Sequence, residues 1–217
     1  MTRNTSSDGE DGTMARGMAR LVPTQKRSRE RFERILECAA AVMAEKGSEA
    51  FRMSDIVERI GVPFGSLYQY FPDKAAIIGT LAVRYNAVGR ECVRRDLSAM
   101  ERPADMHAAL CQIVDSYYRM FIDEPVMRDI WQATQADRML QQIDEEDAAY
   151  LAGLLAQALL RVGPGAERSA VETFSQLVMT LVAAAVRHAI TLAPDEAQRT
   201  LALFKRMLPK DVPATAS

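Results

Sequence analysis

Cysteine is scarce: Cys38, Cys92 and Cys111 are all that the 217-residue chain contains. They are odd in number, far apart and free of any CxxC pair, which argues against a disulfide framework and a structural zinc site and points to a reducing compartment. Long apolar runs are missing too. The longest, LVMTLVAAAV at 177–186, stops at Arg187, far short of the roughly 20 residues a membrane span needs. No apolar stretch near the amino end reads as an export signal. The expectation is a cytoplasmic protein with no membrane partner. Histidine is limited to His107 and His188, each among apolar residues. There is no metal-spaced cluster, no recognisable nucleophile motif and no glycine-rich phosphate loop after a strand, so an enzyme is not expected, and neither cofactor nor metal is. Nor does any stretch alternate with the period of two that marks a half-buried strand.

Strong net charge is also absent, the total being -2. Its distribution is uneven. Between Met14 and Arg34 stand Arg16, Arg20, Lys26, Arg27, Arg29, Arg31 and Arg34 against Glu30 and Glu33, whereas fifteen basic and eighteen acidic residues follow Lys74. A basic head on a slightly acidic body has this pattern, and so does a solvated charged helix face.

What remains is helical. Residues 1–22 are polar and aperiodic and are expected to be a disordered tail, with Met1, Met14 and Met18 as alternative starts. From Ser28, the residues Phe32, Ile35, Leu36, Ala39, Val42 and Met43 recur at helical spacing and the run closes on Lys46-Gly47, a basic last turn and a C′ glycine. Ser54 is the expected N-cap of a second, short helix carrying Ile56, Val57 and Ile60 and stopping at Gly61. A third spans about 63–70, and a longer one runs from Lys74 into the nineties. Breaks at Pro103, Glu124-Pro125, Gly163-Pro164-Gly165 and Ala193-Pro194 place further helices at 104–122, 125–140, 143–162, 166–192 and 195–208. The fold class is all-α, a three-helix head before a helical bundle, divided at 23–73 and 74–208, with 209–217 as a tail.

The segment GVPFGSLYQYFPDK at 61–74 holds four of the fourteen aromatic residues. Two short helices joined across Gly61-Val62-Pro63 form a helix-turn-helix, whose second helix enters a major groove. A helical wheel puts Phe64, Leu67, Tyr68 and Phe71 on one side, with Leu67 and Phe71 as anchors to the first helix. Gly65, Ser66, Gln69 and Tyr70 then face outward. Gln69 suits adenine, the Ser and Tyr hydroxyls and Lys74 suit phosphate, and Gly65 allows close approach. For Tyr68 and Tyr70 a half-buried core position is the alternative.

Residues 29–78, with the first helix closing on Lys-Gly, Ile56 before the Gly61-Val62 turn, then Gly-Ser-Leu-Tyr, Tyr-Phe and Asp-Lys, resemble the DNA-binding domain of the TetR family of bacterial transcription regulators. The resemblance implies phosphate contacts from Ser66, Tyr68, Tyr70 and Lys74 and base or groove contacts from Ser54, Phe64, Gly65 and Gln69. Arg52 stands where the family often has a capping threonine; it can reach phosphate, but the cap must come from elsewhere. Phe64 occupies a position often polar in relatives and suits either a thymine methyl or the core.

Two features of the body are open from the residues alone. The stretch 166–190 contains neither proline nor glycine and reads as a buried central helix or as half of a dimer seam. The resemblance implies the seam, in a four-helix bundle, with Phe174, Leu177, Leu181, Ala185 and His188 as candidates. A methionine and aromatic stripe reads as ordinary core or as ligand lining. The resemblance implies an effector pocket, with Tyr117, Tyr118, Phe121, Trp131 and Gln135 as candidates. The function implied is a homodimeric repressor of double-stranded, palindromic operator DNA released by a small molecule. An architectural or cell-division DNA-binding role on the same fold and an all-α enzyme or carrier are the alternatives.

Overall fold

The computed structural model describes Met18, Ala19 and residues 25–211. Most of the expected N-terminal tail, with Met1, Met14, Arg16 and Arg20, and residues 212–217 of the C-terminal tail lie outside them. Ala19 itself is partly buried against the head core. Among the described residues there are nine α-helices and no strand: α1 (Lys26–Ala50), α2 (Met53–Ile60), α3 (Phe64–Tyr70), α4 (Lys74–Ser98), α5 (Met106–Asp123), α6 (Val126–Ala136), α7 (Arg138–Val162), α8 (Arg168–Ala189) and α9 (Pro194–Met207), with a 3₁₀ turn at Pro103–Asp105 before α5.

Helix α1 buries the periodic residues Phe32, Ile35, Leu36, Ala39, Val42 and Met43. It is interrupted at Gly47, where φ is +79°, a backbone region that L side chains rarely enter. Gly61 plays the same part after α2: its φ of +66° is the left-handed cap, and its N–H donates to the Val57 carbonyl at 2.9 Å.

Two boundaries are set by residues other than the expected ones. Helix α2 is capped at Arg52, so Ser54 lies inside the first turn. The break expected near 141–142 falls at Asp137, whose backbone is extended and whose Oδ1 accepts the Met139 N–H at 2.8 Å. An aspartate that satisfies an orphan N–H at a helix start stops one helix and begins the next without proline or glycine.

By packing the chain forms two compact units, one of residues up to Tyr85 with Pro125–Asp144, the other of Asn86–Glu124 and Glu145 onward. The first unit is larger than the expected head of 23–73, because Val126, Ile130 and Leu140 join the core of α1, α2, α3 and the start of α4. In the second, α8 lies against α5 and α9 and buries Val171, Val178, Val182, Val186 and Ala189. An 18-residue window of α8 has a mean hydropathy of 1.5, enough by length and composition to cross a membrane, and 33% of that window is buried. The helix was expected over 166–192 and is somewhat shorter, at Arg168–Ala189, while its apolar length exceeds the run at 177–186.

Candidate nucleic-acid interface

The helix-turn-helix is built from α2 and α3, which pack on α1. Ile56 and Val62 enter the core from α2 and the turn, and Leu67, Tyr70 and Phe71 enter it from α3 and its end. The Phe71 ring stacks on Phe32 at 5.0 Å between centroids, and Tyr70 meets the same ring edge-on at 6.0 Å. Phe32 is thus the platform on which the carboxyl end of α3 rests, and such ring pairs add stability beyond their buried area.

Tyr70 is the main correction to the expected outward face. It is 4% exposed, and its hydroxyl pairs with Ser28 Oγ at 2.7 Å. Helical geometry explains this: three residues after Leu67 is a turn of about 300°, only about 60° from the buried anchor. Phe64 and Tyr68 lie on the other flank of Leu67 and are 48% and 43% exposed. Their rings stack at 6.2 Å with an interplanar angle of 18°. Their expected sharing of the anchor side is therefore corrected as well. Gly65 and Gln69 are exposed and Ser66 partly so, and nothing stands within 4 Å of where a Gly65 Cβ would be.

Ser28, which the sequence marked only as a helix start, carries a positional role. It lies between Lys26, Arg27 and Arg29, all exposed, so its bond to Tyr70 ties this basic turn to the end of α3. The candidates around α2 are arranged differently. Ser54 is partly buried and Arg52 is exposed. The cap of α2 comes from Asp55, whose Oδ2 accepts the Arg52 N–H at 2.9 Å while Oδ1 accepts from Lys46 Nζ at 2.9 Å. Arg59 forms a two-pronged pair with Glu45, at 2.8 and 2.6 Å, and so adds a second tie from α2 to α1.

Lys74 stands at the start of α4 as expected, but its ammonium donates to the carbonyls of Ser48 and Glu49 at 3.1 and 3.3 Å. It satisfies the end of α1 beyond the Gly47 break. Asp129 on α6 lies against the same break and accepts the Ser48 N–H; burial pushes its carboxyl pKa up, an effect that this bond and Arg128 only partly offset. Lys46, Ser48, Lys74, Ile78, Asp129 and Leu140 line a cleft of about 490 Å³ within this unit. None of the five candidate pocket residues lines it. The sequence signal for it was the C′ glycine, which announces a set of carbonyls in need of donors.

The Asp55 pair predicts a pH effect. The Lys46 hydrogen bond, followed by the Arg52 N–H, lowers its carboxyl pKa. A lowered folded pKa contributes stability above the pKa of the unfolded chain, and this is lost as pH falls through the folded value. Asp55→Asn is expected to flatten the acid side of the stability profile while changing its neutral-to-alkaline shape little, which denaturant titrations between pH 3 and pH 8 will read.

Residues 35–81 match the family of bacterial regulatory proteins described as tetR family, and residues 104–214 match the Tetracyclin repressor-like C-terminal domain. The chain belongs to the TetR family. The HTH-type transcriptional repressor KstR of Mycolicibacterium smegmatis is 40% identical over 68 residues, 31% of this chain and 30% of that protein. KstR of Mycobacterium tuberculosis is 38% identical over 68 residues, 31% of this chain and 28% of that protein. The chain thus spans less than a third of the length of these curated relatives. Among solved structures, a TetR-family regulator from Streptomyces coelicolor superposes with a TM-score of 0.64 at 23% identity, over 82% of this chain and 95% of that one. The regulator FadR from Bacillus subtilis, solved in complex with stearoyl-CoA, has a TM-score of 0.61 at 18% identity, over 82% of this chain and all of that one. These likenesses carry the fold.

The candidates in the rest of this TetR-family chain fall as follows. Tyr117 and Phe121 meet edge-on at 5.2 Å, and with Tyr118 they belong to the second unit, whereas Trp131 and Gln135 belong to the first. The Gln135 amide donates to Asp144 at 2.8 Å. On α8, Phe174 and Ala185 are partly buried and His188 is exposed, while Leu177 and Leu181 are 57% and 48% exposed. The helix therefore has two apolar faces, one packed on α5 and α9 and one open. His107 donates from Nε2 to the Lys205 carbonyl at 3.0 Å, a structural bond between α5 and α9. Among the described residues no three His, Cys, Asp or Glu side chains are grouped to hold a metal.

Proposed function

We propose that this TetR-family chain is a cytoplasmic transcriptional repressor that binds palindromic operator DNA as a homodimer and leaves it when a small molecule binds. The observation that carries the reading is the division of α3: Leu67, Tyr70 and Phe71 hold it in the core while Phe64, Gly65, Tyr68 and Gln69 are exposed. A helix anchored in this way can lie in a major groove without losing its support. Gln69 suits an adenine edge, and Ser66 and Arg52 suit phosphates, as do the Tyr68 hydroxyl and the basic first turn of α1. Lys74 acts through the Gly47 break, which it braces. Ser54, partly buried in the first turn of α2, is retained as a groove contact. The open face of α8 supplies the dimer seam, since one short helix reads few bases and a twofold pair reads two half-sites. Effector binding shifts the population towards dimers whose recognition helices no longer match both half-sites.

Gel shifts on DNA upstream of the chain's own gene test this. A saturable, sequence-specific shift in low salt is expected, weakening with salt as phosphate contacts release counterions. Folded protein that shifts specific and scrambled duplexes alike would overturn the reading.

A further inference from the structure

Phe64 and Tyr68 form a stacked, half-exposed pair of rings on α3. Phe64 is the first residue of α3, and in a helix-turn-helix the amino-terminal residues of the second helix meet the base edges. Its ring has no hydrogen-bonding group. In the major groove the apolar feature that a base edge offers is the C5-methyl group of thymine. Tyr68, one turn later, holds its ring nearly parallel to that of Phe64 at 6.2 Å between centroids, and a ring neighbour of this kind lowers the entropy lost on contact. Gly65 leaves open space beside it, so no side chain there holds the helix away from the groove floor. The basic turn of Lys26, Arg27 and Arg29, tied to the other end of α3 by Ser28 and Tyr70, supplies positive charge to flank the groove.

We propose that Phe64, braced by Tyr68, is a specificity-determining residue that reads one thymine methyl group in each half-site. This rests on the operator-binding reading above and adds to it a definite base at a definite residue.

The test uses the full chain and a duplex that it selects from a randomised library. Each thymine in that duplex is replaced in turn by deoxyuridine, which removes only the methyl group. At one thymine per half-site the replacement is expected to weaken binding about four-fold, and about fifteen-fold when made in both half-sites, from the loss of one buried methyl each. Phe64→Ala, an exposed site whose folding is checked by its melting curve, is expected to change by less than about two-fold on the same replacement. Phe64→Gln, taken through a fresh selection, is expected to return a consensus without thymine at that position.

A selection with the natural chain that yields no consensus would sink the operator reading itself. A consensus in which no deoxyuridine weakens binding leaves that reading intact and overturns the role of Phe64. So does equal methyl sensitivity in Phe64→Ala, or an unchanged consensus from Phe64→Gln.

Discussion

Phe71→Ala is expected to lower the stability of the α1–α3 core by about 3–5 kcal/mol and to abolish specific DNA binding with it. The side chain is fully buried and stacked on Phe32, and its backbone N–H closes the last turn of α3 on the Leu67 carbonyl at 3.0 Å. Truncation removes the ring's contacts and leaves a cavity that a small core of short helices cannot refill. Against the roughly 5–15 kcal/mol that holds a typical domain, this is a large part of the whole. Chemical denaturation will measure it. The contrasting variant is Phe64→Ala, which removes the same ring from a half-exposed position and is expected to move stability by only about 1 kcal/mol. Equal losses from the two would contradict the two-sided arrangement of α3.

Changing both Leu177 and Leu181 to lysine is expected to convert the proposed homodimer into a monomer at micromolar concentration. Both residues are exposed on α8, beside the face that buries Val178, Val182 and Val186, so the fold of one chain depends little on them. In an isologous interface each substitution counts twice. Four leucine side chains, each about half exposed in one chain, contribute about 3 kcal/mol at the low end when that half is buried, equivalent to roughly two powers of ten in the dissociation constant. Sedimentation equilibrium will read the change, and an unaltered far-UV spectrum will confirm that α8 still forms. A double variant that remains dimeric would move the seam away from this face.

The helical class, the helix-turn-helix and most helix positions were legible in the sequence because they depend on short-range rules. Periodic apolar residues marked α1, glycines marked the positions of positive φ, and prolines marked most breaks. The Asp137 boundary escaped because a side-chain cap can end one helix and start the next with no breaker residue present. The cap of α2 escaped for a related reason: Ser54 is the residue type that caps, but the Asp55 carboxylate reaches back to the Arg52 N–H.

Placement of the aromatic residues in the 61–74 segment separates the two kinds of information most clearly. Composition and spacing were enough to say that some rings anchor α3 while other groups face a partner. They assigned Tyr70 to the wrong side, although the angle between positions 67 and 70 is fixed by helix geometry, because a tyrosine can satisfy either environment until its hydroxyl finds a bond. That bond comes from Ser28, forty-two residues away. In the same way Lys74 is a phosphate-suited cation when read along the chain, yet in the fold its ammonium meets the carbonyls of Ser48 and Glu49. Local sequence dictates which helices form, since helix hydrogen bonds span four residues. Which face of each is covered, and which charge is already engaged, depends on groups brought together from distant positions, and these are set when the helices pack.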